Sequence, residues 1–305
     1  SMSYQLTSPD ALDSELKRIV LECMVDAAAQ LEHRGGNLHR GIHEARKRMK
    51  EIRAVLRLIR PELGPAYAKE NAWFRKQANS LSALRDAKAM LEICDQLSSS
   101  FAEQLDYDPF PALHTRLNNR LKAVMGDHPQ LHHELAVLQK SLKHAQTRVH
   151  AWPLRDKGFG VLENGLRNSY QAGRATYRKC QSQSGNADFH VWRKRVKEHW
   201  YHTLLLVKTW PDELEGRERA LKQLADLLGA EHDLLVLEQL VNKAPKDFGT
   251  RGEVKHLLVL IHCRRQQLQT SAVSLGSCLY AEKPAAHTKR LAVYWACWEE
   301  ECKRT

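Results

Sequence analysis

The chain reads as all-α, in two similar bundles of about five helices each. Three observations carry this. The apolar period is helical throughout, without the strict alternation of strands. Glycine and proline are sparse, 15 and 10 of 305 residues, and fall at breaks between periodic stretches. A nine-residue string recurs: His43 to Glu51 reads HEARKRMKE and His190 to Glu198 reads HVWRKRVKE, identical at six positions with a shift of 147 residues. The same shift sets Leu81, Ala83 and Asp86 over Leu228, Ala230 and Asp233 without a gap. An internal duplication accounts for this, and two copies of one bundle suggest packing about a pseudo-twofold axis.

The breaks delimit ten helices, with ends good to a few residues. The first, over 9–34, opens with Ser8 as a cap and Pro9 at the first helical position. The second, over 37–60, starts at Asn37 after a glycine pair, and a third follows Pro61 over 63–98. The stretches 110–125 and 129–151 lie between Pro109, the Gly126 to Pro129 break and Pro153. The second half repeats the count at 159–181, 187–209, 212–243, 250–279 and 284–303. Ser1-Met2 reads as the remnant of a tag and residues 1–6 as a tail. Residues 7–305 form one domain, with halves 7–152 and 157–303.

The composition has 43% hydrophobic residues, enough for a buried core, and a formal charge of +11. Such a charge points to an anionic partner rather than to a fold. The seven cysteines are scattered and no C-x-x-C occurs, so reduced thiols in a cytoplasmic protein are expected. No apolar run approaches the length of a membrane span, and no signal-like stretch opens the chain, so no membrane insertion is expected.

On a helix at 100° per residue, Ala45, Met49, Ile52, Leu56 and Ile59 share one side of residues 39–60. His39, His43, Arg46, Lys47, Lys50, Arg53 and Arg57 share the other. The spacing is one normally kept for apolar seam residues, yet here every position is basic. Like charges so placed repel unless something neutralises them. Glu44 and Glu51 sit on the flank. The second copy keeps His190, Arg193, Lys194 and Lys197, then turns apolar, with Trp200 and Leu204 in place of Arg53 and Arg57.

These residue types suit a row of phosphates. Arginine offers a planar fork for bidentate contacts, lysine adds point charge, and histidine donates a hydrogen bond and gains charge on protonation. A solvated basic face is the ordinary alternative for one such helix; the copied spacing favours a site. Asp86 and Asp233 occupy equivalent places on the following helix and suit the task of holding an arginine or lysine in position; an interhelical salt bridge is the alternative. A third basic face runs along Arg167, Tyr170, Arg174 and Tyr177 or Arg178, where Gly173 would admit a close neighbour.

The strings H-E-A-R-K-R-M-K-E-I-R, R-D at Arg85-Asp86, the repeated H-x-x-R-K-R-x-K, L-G-x-x-x-D ending at Asp233 and L-R-N-S-Y-Q-A-G-R together resemble the CHAD domain, a conserved-histidine α-helical domain, over about residues 7–303. The resemblance implies two pseudo-symmetric helical bundles around a basic cavity that binds inorganic polyphosphate. It also implies association with polyphosphate granules in the cytoplasm. By position, the cavity candidates are His43, Arg46, Lys47, Lys50, Arg53 and Arg57, then His190, Arg193, Lys194 and Lys197, with Tyr170 and Arg174 added. Some relatives carry a fused triphosphate tunnel domain marked by E-x-E-x-K. No such string reads here, so a stand-alone member is expected.

Two other classes compete. A nucleic-acid binder would use the same basic helices, but aromatics are few among them and no helix-turn-helix or RNA-binding signature is present. An enzyme acting on phosphoanhydrides would need a P-loop, a magnesium-binding acidic cluster or a nucleophile motif, and none is found. His128 with His132 and His133, and His199 with His202, have metal-like spacings without a partner set. No cofactor, metal or catalytic residue is therefore expected.

Overall fold

The computed structural model describes residues 4–32, 38–101, 110–126, 128–154, 158–182 and 186–304. Among them lie twelve α-helices and no strand. The first half holds α1 (Leu12–Glu32), α2 (Leu38–Leu58), α3 (Arg60–Leu63), α4 (Pro65–Ser80), α5 (Ser82–Phe101), α6 (Pro111–Gly126) and α7 (His128–His150). The second holds α8 (Gly160–Gln181), α9 (Asn186–Leu206), α10 (Pro211–Lys243), α11 (Arg251–Leu279) and α12 (Pro284–Arg304).

The apolar stripe expected on α2 is the buried one: Ala45, Met49, Ile52, Leu56 and Ile59 are all fully buried. Two boundaries differ from the sequence reading. Ser8 and Pro9 do not start α1; the chain turns through Ala11 at φ 49°, and the helix begins at Leu12. Ser8 Oγ instead accepts from Asp10 N at 3.1 Å, a local turn that competes with the helix. The stretch read as one helix over 63–98 is broken at Leu81 (φ −94°, ψ 9°). There Ser80 Oγ donates to the Gln77 carbonyl at 2.7 Å, satisfying an end of α4. The equivalent stretch of the second half has Leu227 in place of Ser80 and runs unbroken through the 33 residues of α10. Asn37, the other expected cap, falls outside the described residues.

The entry to α4 needs a glycine. Gly64 sits at φ +52°, ψ −128°, between the short α3 and Pro65, a conformation an L side chain rarely adopts.

The apolar side chains fall into three clusters. One gathers α1, α2 and α7 with the C-terminal end of α9 and with Leu291, Trp295 and Trp298 of α12. A second joins α5 and α6 to α10 and α11. The third lies among α8, α9, α10 and α11. The halves therefore share cores. Direct links seal the junction: His202 Nε2 donates to the Ala54 carbonyl at 2.9 Å, and a side chain at Gly165 of α8 would collide with the Leu58 backbone of α2. The tail is part of this junction too. Tyr4 and Leu6 are buried, Tyr4 Oη donates to the Glu51 carbonyl at 3.0 Å, and Leu6 N donates to the Leu205 carbonyl at 3.0 Å.

Candidate anion-binding site

Packing α2 against α9, and α5 against α10, brings the two repeated strings side by side, and the seam between their basic side chains is the candidate trough. The identities sort by what they touch. Arg46 and Lys50 of α2 face Arg193 and Lys197 of α9 closely enough to shift one another's protonation. Arg48 and Glu51 pair within α2 at 2.8 Å, and Arg195 and Glu198 pair within α9 at 3.3 Å. Arg48 also holds Asp26 of α1 at 2.6 Å. Two of the five repeated charged positions, the second arginine and the glutamate, are thus structural, tied to each other within each basic helix.

The seam is cationic, and Arg46, Lys50, Arg193 and Lys197 are all half-buried. Burial, with Lys197, Arg46, Arg193 and Arg85 behind it, pushes the Lys50 ammonium down to about 7. Burial and Arg193 bring Lys197 down to about 8, although Asp233 and Asp226 oppose the shift. Arg46 and Arg193 are lowered as well, first by burial. Arg46 Nε and Nη1 and Arg193 Nε are buried without a hydrogen-bond partner. Buried guanidinium nitrogens without acceptors are costly, and an anion entering the trough would satisfy them.

Asp86 lies by Arg46 and Asp233 by Arg193, each drawing its arginine toward the charged form. Neither closes a salt bridge. Asp86 is exposed; Asp233 is half-buried, and burial raises its carboxyl above the usual range. Two carboxylates thus face a larger group of cations without neutralising it.

The remaining candidates separate. Lys47 is half-buried beside Glu51, and Lys194 is exposed near the trough rim, where it acts on His190. Arg53 donates to Asn71 Oδ1 at 3.0 Å, and burial with Arg57 and Arg75 lowers it to about 10. Arg57 reaches Glu198 at 3.6 Å, so its charge is already engaged across the halves. Trp200, in the place of Arg53, donates to Glu218 Oε1 at 2.6 Å. His39 turns toward Met125 Sδ at 3.3 Å.

Tyr170 and Arg174 are placed elsewhere. Tyr170 is buried, donates to the Leu279 and Glu282 carbonyls at 3.3 and 3.1 Å, and stacks on His287 with ring centres 4.0 Å apart. Arg174 donates to the Tyr280 carbonyl at 3.0 Å, and Tyr280 fills the space that Gly173 leaves open. Both serve the packing of α8 on the end of α11. The helical period explains the separation: His199, Trp192 and Val196 face this cluster, whereas Arg193 and Lys197 lie on another face of α9.

Two trough residues were absent from the candidate set. Arg85 Nε donates to His43 Nδ1 at 3.2 Å, and His190 Nδ1 lies 3.2 Å from His232 Nδ1. Each pair is 42 residues apart in the chain. Arg85 also bonds Glu92 at 3.0 Å and acts on Arg46, Lys50, Arg193 and Lys197. The signal was available: Arg85 and His232 each precede the repeated aspartate and superpose under the same shift.

Among the described residues no group of three or more side chains could hold a metal ion, and no helix is long and apolar enough to cross a membrane. His202 is engaged with Ala54, and the His128 side chain lies outside the described residues.

The profile of the CHAD domain matches residues 18–242. The crystal structure of the CHAD domain from the plant Ricinus communis superposes with a TM-score of 0.58 at 16% identity, over 92% of this chain and 96% of that one, a likeness of fold. Comparison with curated proteins finds no match. A match over well more than half of the chain, on an all-α framework, makes this protein a member of the CHAD domain family.

Proposed function

We propose that the protein binds inorganic polyphosphate in the trough between α2 and α9 and leaves its chain length unchanged. One observation supports this most: Arg46, Lys50, Arg193 and Lys197 converge from both halves, with buried guanidinium nitrogens that lack acceptors. Like charges held together out of water disfavour one another. A linear polyanion offers closely spaced oxygens that would relieve both the repulsion and the unmet donors. The CHAD family's general association with polyphosphate agrees with this reading. Binding would bring the protein to polyphosphate granules in the cytoplasm.

Titration with long-chain polyphosphate is the test. Saturable binding that falls by about 100-fold or more in Arg46→Ala/Lys50→Ala/Arg193→Ala supports the site, since each charge-assisted contact contributes about 1.5–3 kcal/mol. Unchanged affinity in that variant overturns it. Prolonged incubation with divalent metal should leave the chains intact; shortening by pure protein would make it an enzyme. Nucleic acid is the second reading, favoured only by the same charge. Polyphosphate should displace DNA or RNA far better than the reverse.

A further inference from the structure

The two ends of the trough are built on one plan with different chemistry. At the first, His43 accepts from Arg85, so the imidazole beside the trough is backed by a guanidinium. At the second, His190 meets His232 at the equivalent position, ring centres 4.5 Å apart. Both imidazoles are half-buried and so reachable from solvent.

We propose that His190 and His232 act as one protonatable anion contact, so that the second end of the trough gains charge on acidification while the first end stays fixed. The inference rests on the polyphosphate reading and specifies how that site responds to pH. The hydrogen-bond geometry carries it. With both rings neutral, one Nδ1–H donates to the other Nδ1, leaving one Nε2 as a donor and one as an acceptor. Adding one proton keeps the Nδ1–H···Nδ1 bond, makes both Nε2 groups donors and gives the pair a positive charge. A phosphate oxygen would stabilise that state.

Burial, and then the neighbouring charges, account for the neutral resting state. Arg193, Lys194 and Lys197 on α9 repel a proton, whereas Glu231 on α10 attracts one. Glu231 is itself held by Arg265 and Gln269 of α11. Asp233 of α10, with Arg85 and Asp86 of α5, acts on Arg193 next to the pair. Burial leads the shift of both rings, taking His232 down to about 4. A polyanion would cancel the cationic neighbours and let the proton on.

The test compares the affinity for long-chain polyphosphate at about pH 7 and about pH 5.5, at constant ionic strength. One proton taken up on binding raises affinity by up to about tenfold per pH unit. Wild type should gain at least about fivefold over this interval. His232→Arg, which copies the first end, should bind at least as tightly near pH 7 and keep no more than the roughly twofold gain that Lys50, near 7, supplies. Arg85→His should enlarge the wild-type gain. Should His232→Arg fail to fold, His232→Gln serves: it too should keep no more than the share of Lys50. Nitrogen-15 spectra of the histidine rings should show His190 and His232 taking up one proton when polyphosphate is added. A wild-type gain below about twofold, a gain clearly above about twofold retained in the His232 variants, or rings that stay neutral on binding would overturn the proposal while leaving polyphosphate binding intact. Absence of saturable binding by wild type at either pH would instead overturn the functional reading.

Discussion

Lys50 of α2 and Lys197 of α9, 147 residues apart in the chain, lie in one desolvated trough, where Lys197 is the foremost charge depressing the Lys50 ammonium. Folding brings together two groups that would separate in water. The chain accepts that cost at the place where buried nitrogens of Arg46 and Arg193 also lack acceptors.

Proton linkage should follow. Lys50 drops to about 7 from 10.5 in the folded chain. Between those values the unfolded state binds more protons, so stability rises with pH across that window. A bound polyanion favours the charged amine, so binding above pH 7 should take up protons, and affinity should fall as pH rises from about 7 to 9. Calorimetry in buffers of differing ionisation enthalpy measures the uptake. Lys50→Arg, charged throughout, should reduce it by about half, leaving the share of Lys197.

Salt should weaken binding steeply. Each cation that meets a phosphate displaces counterions, so log affinity falls linearly with log salt. Arg46→Ala should lower that slope by about one, by analogy with phosphate contacts to nucleic acid. Arg57→Ala should change it less, because Arg57 already meets Glu198 at 3.6 Å. Fluorescence titration over a salt series distinguishes the two.

The buried ion group on α10 and α11 is structural. Arg265 meets Glu231 at 2.8 Å and Glu238 at 2.7 Å, and both Arg265 and Glu231 are almost wholly buried. Arg265→Ala would strand the Glu231 carboxylate and should cost about 3–5 kcal/mol in denaturant unfolding. Arg265→Met with Glu231→Leu should recover much of that loss.

The N-terminal residues should matter to stability although they read as a tail. Tyr4 packs edge-on against Tyr201 at 6.1 Å and bonds the Glu51 carbonyl. Tyr4→Ala should destabilise by about 3 kcal/mol, read as a lower midpoint in urea. An unchanged midpoint would mean that this segment contributes nothing to the junction.

Much of the fold was legible because it depends on local spacing. The helical period located nearly every element, and the buried stripe of α2 followed from it. Arg46, Lys50, Arg193 and Lys197 were legible because a repeated cationic stripe opposite an apolar one must face outward from its own helix. The break at Leu81 was not: Ser80 and Ser82 flank it within a stretch whose apolar period continues. Tyr4 and Leu6 offered too few residues for any period to register.

From the residues alone come the helices, the repeated string and the excess of positive charge, since each is a property of neighbours along the chain. Long-range packing settled the rest. It turned the two stripes toward each other, engaged Arg57 with Glu198, drew Tyr170 into a core and Arg174 onto the Tyr280 carbonyl, and brought Arg85 and His232 to the trough. Those outcomes depend on which helix face meets which across separations of tens to hundreds of residues, and burial acts on a charge only once that packing exists.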